Sequence, residues 1–212
     1  LIEEHRSPTT AAALEALMAV MPQARIFRYE AFGREMQRTG VAAAHSEARD
    51  VALSLDKADV VVVLDGDILN NESSPIKNAK GFAKRRRIEA GDMNRLYVAE
   101  ACPSVTGMAA DHRLRVQARQ ILDPAKALAG ALLAEKQGAG LIAAVVLQPS
   151  AGHGLVAALY HGLGNVGKTV SYIPQVDLVE GSRKGLEDLG TELKSGTTID
   201  TILILGGNPA FS

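Results

Sequence analysis

Cysteine is nearly absent: Cys102 is the only one in 212 residues. One thiol cannot close an intrachain disulfide, and it cannot supply the roughly four thiolates of an iron–sulfur cluster or of a thiolate-rich structural zinc site. No activating partner for it is evident, so Cys102 is expected as a small buried or half-buried filler. Tryptophan is missing and aromatics make up only 4%. Alanine, valine, leucine and isoleucine must therefore fill the core. No apolar run approaches the roughly 18 residues of a membrane span, and the longest, Val60–Leu64, is strand-sized. The net charge of −1 offers no general attraction to nucleic acid or anionic lipid. There is no Gly-x-Gly-x-x-Gly after a strand and no Gly-x-Ser-x-Gly elbow. A signal peptide and an initiator methionine are also lacking, and both ends read as cuts in a longer chain.

What is present is an ordinary globular balance of 47% hydrophobic and 22% charged residues, with room for one large or two small domains. Ser7, Pro8, Thr9 and Thr10 make a plausible cap and first turn, followed by Leu14, Leu17, Met18 and Met21 at helical spacing until Pro22. Residues 24–29 read as a strand, and 32–49 as a polar loop with a short helix. Val60–Leu64 lacks alternation, which suits a strand covered on both faces of a parallel sheet. Pro75 opens a helix, and the crowd of Lys77, Lys80, Lys84, Arg85, Arg86 and Arg87 reads as a solvated face. Further strands are expected at 96–99, 143–147, 169–173 and 201–205. Helices are expected at 124–137, 153–163 and 186–194, and a turn at 106–111.

Strands alternating with helices predict an α/β fold with mostly parallel, Rossmann-like sheets and helices on both faces. A first lobe is expected over residues 1–137 and a second, truncated at its C-terminus, over 138–212, either separate or continuous. Ligands of such sheets sit at the carboxyl ends of strands, which draws attention to Asp65–Gly66–Asp67 and Gly206–Gly207–Asn208–Pro209.

The string from Gly162 to Thr169 fits the Walker-A pattern at every position. A phosphate-binding loop, however, runs from strand to helix, because the helix N-terminus aims its amides at the phosphate. Here an apolar helix precedes Gly162 and a β-branched strand follows Lys168. A helix C-terminus presents carbonyls and the negative dipole end, so Gly162 and Gly164 read as a cap and turn. Lys168→Ala is accordingly expected to leave the fold intact and to abolish no nucleotide binding.

Other candidates are weaker. His153 and His161 could share a helix face, but two turns of separation is too far for one metal ion. Asp111 and His112 could form a hydrogen-bonded pair. Asp65 and Asp67 could bind a divalent cation, or serve only as caps in a turn.

One set of strings is more informative. Ala58–Asp59 before Val60–Leu64, Leu96–Tyr97–Val98–Ala99–Glu100 followed by Ala110–Asp111, the helix ending in Gly164–Asn165–Val166–Gly167, and Ile202–Leu203–Ile204–Leu205 before Gly206–Gly207–Asn208–Pro209 resemble molybdopterin oxidoreductases. A narrower likeness spans nearly the whole chain. Ser7–Pro8–Thr9, Leu55–Asp56–Lys57, Met93–Asn94–Arg95, Thr106–Gly107, His112–Arg113–Leu114 and Lys168–Thr169–Val170 join those strings in resembling the large iron–sulfur subunit of alternative complex III.

That resemblance implies a molybdopterin-oxidoreductase-like region without a cofactor of its own. Iron–sulfur clusters are then expected elsewhere in the parent chain. The complex oxidises quinol and passes electrons onward, with this region at the periplasmic face of a bacterial inner membrane. Expected partners are the cluster-bearing region and neighbouring subunits, with no nucleic acid and no membrane span. The departures point the same way. Asp65–Gly66–Asp67 replaces a Gly-Asn-Pro turn and puts acid where a pterin dinucleotide's phosphates would lie. Glu100 and Pro103 replace an Asp-Pro-Arg turn, no molybdenum ligand is identifiable, and the stretch between Leu114 and Gly138 is short for the family. The alternatives are a fragment that binds molybdopterin guanine dinucleotide through Asp65, Gly206, Gly207, Asn208 and Pro209, and a P-loop nucleotide-binding protein.

Overall fold

The computed structural model describes residues 1–3, 7–30, 33–47, 49–72, 74–87, 89, 91–123, 127, 139–144, 148–174, 183–196 and 199–206. They fall into two compact units, Met36–Pro174 and Leu1–Glu35 with Gln175–Ser212.

In the larger unit the chain forms α2 (Glu35–His45), β1 (Asp50–Leu53), β2 (Val60–Leu64), α3 (Pro75–Lys84), β3 (Arg95–Glu100), α4 (Val105–Met108), β4 (His112–Arg115), β5 (Gly140–Ala144), α5 (Ser150–Gly162) and β6 (Val170–Ile173). Four strands make a parallel sheet in the order β4-β3-β2-β5. β1 and β6 pair antiparallel in a separate two-stranded sheet. The fold is thus mixed α/β around a parallel sheet, as the alternation of elements predicts.

The centre of that sheet explains its sequence. Val61, Val62, Val63 and Leu64 are all at most 2% exposed. Successive side chains point to opposite faces, so a run buried throughout means cover on both. β5 is buried along its whole length, and each such buried Val, Leu or Ile contributes about 1.5–3 kcal/mol. The opposite edge differs: β4 is exposed at every residue, which is why its charged sequence gives no strand signal.

The smaller unit contains α1 (Pro8–Val20) and α6 (Arg183–Lys194). The Ser7 side chain accepts a hydrogen bond from the Thr10 amide at 3.3 Å, with Pro8 in the first turn. Ala11 and Leu14 are buried, whereas Leu17 and Met21 are exposed, so the apolar stripe is covered at its N-terminal end only. The expected strands at 24–29 and 201–205 reduce to isolated bridges of Arg28 and Leu205 to Ile2. Among the described residues their bridge partner is this one residue.

Other expectations shift. The short helix expected within 32–49 forms as α2, and an unexpected strand, β1, follows it. The 169–173 strand forms as β6, but antiparallel to β1 and outside the parallel sheet. The 143–147 strand begins earlier, as β5, and residues 145–147 lie outside the described residues, as does most of 124–137. β5, which follows Gly138, pairs with β2. Arg38 and Asp50 anchor α2 to β1 by a buried bidentate pair at 3.0 and 3.2 Å.

Candidate functional site

The carboxyl ends of β2 and β3 are fastened to the loops around them by carboxylates. Asp65 takes a left-handed backbone (φ 55°), tolerable for a short polar side chain. Its amide donates to the Ala99 carbonyl at 2.6 Å, and its Oδ1 accepts from the Ala101 amide at 3.0 Å. Asp67 Oδ1 accepts from the Thr106 amide at 3.0 Å and from Thr106 Oγ1 at 2.8 Å, and Oδ2 accepts from Asn70 at 3.0 Å. Thr106 Oγ1 in turn accepts from the Leu69 amide at 3.0 Å. Glu100, only 1% exposed, receives Arg113 Nε and the Ser104 hydroxyl at 2.7 Å. A Cβ on Gly107 would lie 1.9 Å from Glu100 Oε1, so the Thr106–Gly107 string is shaped around this buried carboxylate.

Glu72 is the unusual member. Its Oε1 accepts from the Asp67 amide at 2.8 Å. Burial raises its pKa to about 7; the charges of Asp67 and Asp65 push in the same direction, while the Asp67 amide opposes them. Glu72 and the buried His153 both line a cavity of about 30 Å³ beside Ile68, Ala144 and Tyr160, room for one or two waters. The Tyr160 hydroxyl donates to the Ile142 carbonyl of β5, and burial raises the phenol's pKa.

Because the folded-state pKa of Glu72 is raised, the folded chain holds the extra proton between about pH 4.5 and 7. The stability this confers is complete below that window and lost as pH rises through about 7. Glu72→Gln keeps an oxygen for the Asp67 amide and cannot ionise. It is expected to match the parent at pH 5 and exceed it at pH 8 by on the order of 2 kcal/mol in urea unfolding. Equal stability of the two at both pH values would contradict this burial of Glu72.

The Asp of Ala110–Asp111 is a structural joint. Arg86 grips it with two bonds of 2.9 and 2.6 Å, and the Leu96 amide donates to it at 2.7 Å. Burial works to raise its pKa, but Arg86, the Leu96 amide and Arg95 outweigh that and hold the carboxyl below its ordinary value. His112 is not its partner and stacks instead on Tyr97, ring centroids 4.8 Å apart. The basic segment is only partly a solvated face: Lys77, Lys80 and Lys84 are exposed, whereas Arg85 pairs with Asp59 and Arg86 with Asp111. Cys102 is exposed, not the buried or half-buried filler expected, because it lies in the loop after β3.

The Walker-A string is a self-contained turn. α5 ends at Gly162, Gly164 and Gly167 take positive φ (62° and 80°), and β6 begins at Val170. The Asn165 carbonyl accepts the amides of Lys168, Thr169 and Val170, while the amides of Gly164, Asn165 and Gly167 go to His161, Tyr160 and Val170. Those donors are used within the turn and are not aimed outward at a phosphate. The Thr169 hydroxyl, buried, donates to the Gly140 carbonyl at 2.7 Å.

Of the residues singled out for a pterin, Asp65 lies in the larger unit. Gly206 lies in the smaller one at φ 71°, where a Cβ would come 2.9 Å from Glu3 Oε2. Gly207, Asn208 and Pro209 lie outside the described residues. The donor chemistry at Asp65 does not fit a pyrophosphate: three carboxylates, Asp65, Asp67 and Glu72, surround this strand end, and the Ala101 and Thr106 amides already bind them. His153 and His161 do not act together, since His153 is buried and His161 is exposed. His161 instead faces His45, with Nε2 atoms 2.9 Å apart. Glu72, the burial of Glu100 with Arg113 and Ser104, and the His45–His161 pair escape sequence reading because loop closure and helix crossing bring the partners together. Among the described residues, no group of three or more His, Cys, Asp or Glu is placed to hold a metal ion, and no helix is long and apolar enough to cross a membrane. No protein-family model and no curated protein matches the chain.

Proposed function

We propose that the chain is a cofactor-free, molybdopterin-oxidoreductase-like scaffold domain of the large iron–sulfur subunit of a quinol-oxidising respiratory complex of the alternative complex III type. The carboxylate-fastened strand ends carry this reading. In a dinucleotide-binding sheet, amides at the carboxyl ends of strands are kept for phosphate. In this chain the amides of Ala101 and Thr106 are taken by Asp65 and Asp67. A phosphate there would have to displace those bonds and sit among like charges.

The resemblance strings support the same reading, because several serve as joints. Asp111 clamps Arg86 and the start of β3, Gly107 makes space for Glu100, and Asn165 organises the turn between α5 and β6. Such a domain holds its shape while the cluster-bearing region of the parent chain and neighbouring subunits carry the electrons. Its place would be peripheral to a bacterial inner membrane, on the periplasmic face. Isolating the complex through a tag on this chain tests the assignment, by iron–sulfur signals that quinol reduces and by molybdenum and pterin content.

A further inference from the structure

Residues 75–87 hold six of the chain's 23 lysines and arginines and none of its 24 aspartates and glutamates. The net charge of −1 therefore hides a segregation, basic here and acidic over the rest. Helix geometry sorts the segment further. At about 100° per residue, Lys77, Lys80 and Lys84 of α3 fall within an arc of about 60°, along roughly 10 Å of axis, and Ile76 flanks them. Asn78 and Phe82 fall on the other side and fasten the helix. Asn78 is buried and donates to the Ile68 carbonyl at 3.0 Å, and Phe82 packs on the core. The cationic arc is thus left facing solvent: all three lysines are exposed, as is Arg87 in the turn that follows.

Little on the chain answers this charge. Among the described residues Lys77, Lys80 and Arg87 make no ion pair, and Lys84 meets Asp56 only at 3.8 Å while staying 71% exposed. The guanidiniums of Arg85 and Arg86, which could grip a planar anion in two places, are held by Asp59 and Asp111. What remains outward is mainly lysine, a hydrated point charge that attracts an anionic surface without demanding a particular geometry. Ile76, beside the arc, is 84% exposed. A layer of anionic lipid headgroups suits both features. It attracts a cluster of four cations, and it admits an apolar side chain between headgroups. A nucleic acid or an acidic protein segment suits the charge but leaves Ile76 without a role.

We propose that the face of α3 formed by Lys77, Lys80 and Lys84, with Ile76 beside it and Arg87 after it, docks the chain on an anionic lipid surface. The helix lies along the headgroups with its lysines toward them, while its other side stays packed on the parallel sheet. The acidic remainder of the chain is repelled by the same surface, so one face is selected and the molecule is oriented. This role is independent of the scaffold reading and stands or falls on these side chains.

The probe is unilamellar vesicles of about 40% phosphatidylglycerol in phosphatidylcholine, read by cosedimentation with the full chain. Binding is expected at about 0.05 M salt and release at about 0.5 M, because salt screens exposed charge. Pure phosphatidylcholine vesicles should bind nothing. Each cation near an anionic surface multiplies binding about fivefold, so the triple variant Lys77→Gln, Lys80→Gln, Lys84→Gln should weaken it about a hundredfold. Changing the same three lysines to arginine keeps the charge and should keep the binding, which separates charge from misfolding. Ile76→Ser should weaken binding without any change of charge. Arg115→Gln, on the exposed edge strand β4, should leave it unaltered. The proposal is overturned by equal binding to both vesicle types, by binding that survives the glutamine triple or Ile76→Ser, or by its loss in the arginine triple or in Arg115→Gln. Polyglutamate that binds more tightly than the anionic vesicles would also overturn it, in favour of an acidic protein partner.

Discussion

Gly40→Ala is expected to lower unfolding free energy by about 3 kcal/mol, the upper end of the cost of overpacking a core. Propensity alone argues the reverse, because alanine inside a helix is favoured over glycine by about 0.8–1 kcal/mol. Geometry decides the sign. A Cβ at position 40 would lie 2.4 Å from the Ser150 carbonyl oxygen, 2.5 Å from His153 Cβ and 2.7 Å from the Gly154 amide nitrogen. Two of these three are backbone atoms of α5, so relief requires the two helices to move apart. That movement would open the cavity beside Glu72 and His153. Gly190→Ala is the matched control: it lies in α6, takes no positive φ and would meet nothing within 4 Å. It should gain stability by up to about 1 kcal/mol. Urea unfolding of the two variants against the parent measures both signs, and a stabilised Gly40→Ala would refute the close crossing of α2 and α5.

Arg38→Ala is expected to cost about 3–5 kcal/mol, the penalty for breaking a buried ion pair from one side. Arg38 and Asp50 are 7% and 6% exposed and joined by two bonds. The pair ties α2 to the first residue of β1, and among the described residues β1 is the strand that pairs with β6. Removing the guanidinium therefore strikes a buried carboxylate and the smaller sheet together. The double variant Arg38→Met with Asp50→Val is expected to recover most of the loss, since apolar side chains can replace a buried pair at little net cost. A double variant as unstable as the sum of its singles would show that the two side chains are not coupled.

The parts of the fold legible from sequence are those where local chemistry and burial agree. Val60–Leu64 announces a strand covered on both faces because four successive β-branched valines and a leucine, without alternation, favour a buried strand over a helix segment. Ser7–Pro8 and Pro75 mark helix starts for steric reasons that need no tertiary partner. β1 is hidden because Asp50 looks like a loop residue until Arg38 is placed against it. β4 is hidden because an exposed edge strand carries no hydrophobic pattern. Residues 24–29 and 201–205 err the other way: both contain apolar residues, but pairing depends on what lies alongside. At the site, Asp65 and Asp67 are legible as the end of a parallel strand. Glu72 and the facing of His45 and His161 are not: a loop turns Glu72 back onto the Asp67 amide, and the crossing of α2 and α5 brings together two histidines 116 positions apart. The Walker-A string is the instructive case: its letters match, but its order of elements does not, and the amides follow the order.

The proposed scaffold role rests on carboxylates that occupy amides which a dinucleotide-binding sheet keeps for phosphate. The most direct test isolates the complex from membranes through a tag on this chain and measures molybdenum by mass spectrometry and pterin by fluorescence after oxidation. A scaffold domain predicts iron–sulfur signals that quinol reduces, with molybdenum and pterin far below one per chain. One molybdenum and a stoichiometric pterin on this chain would contradict it.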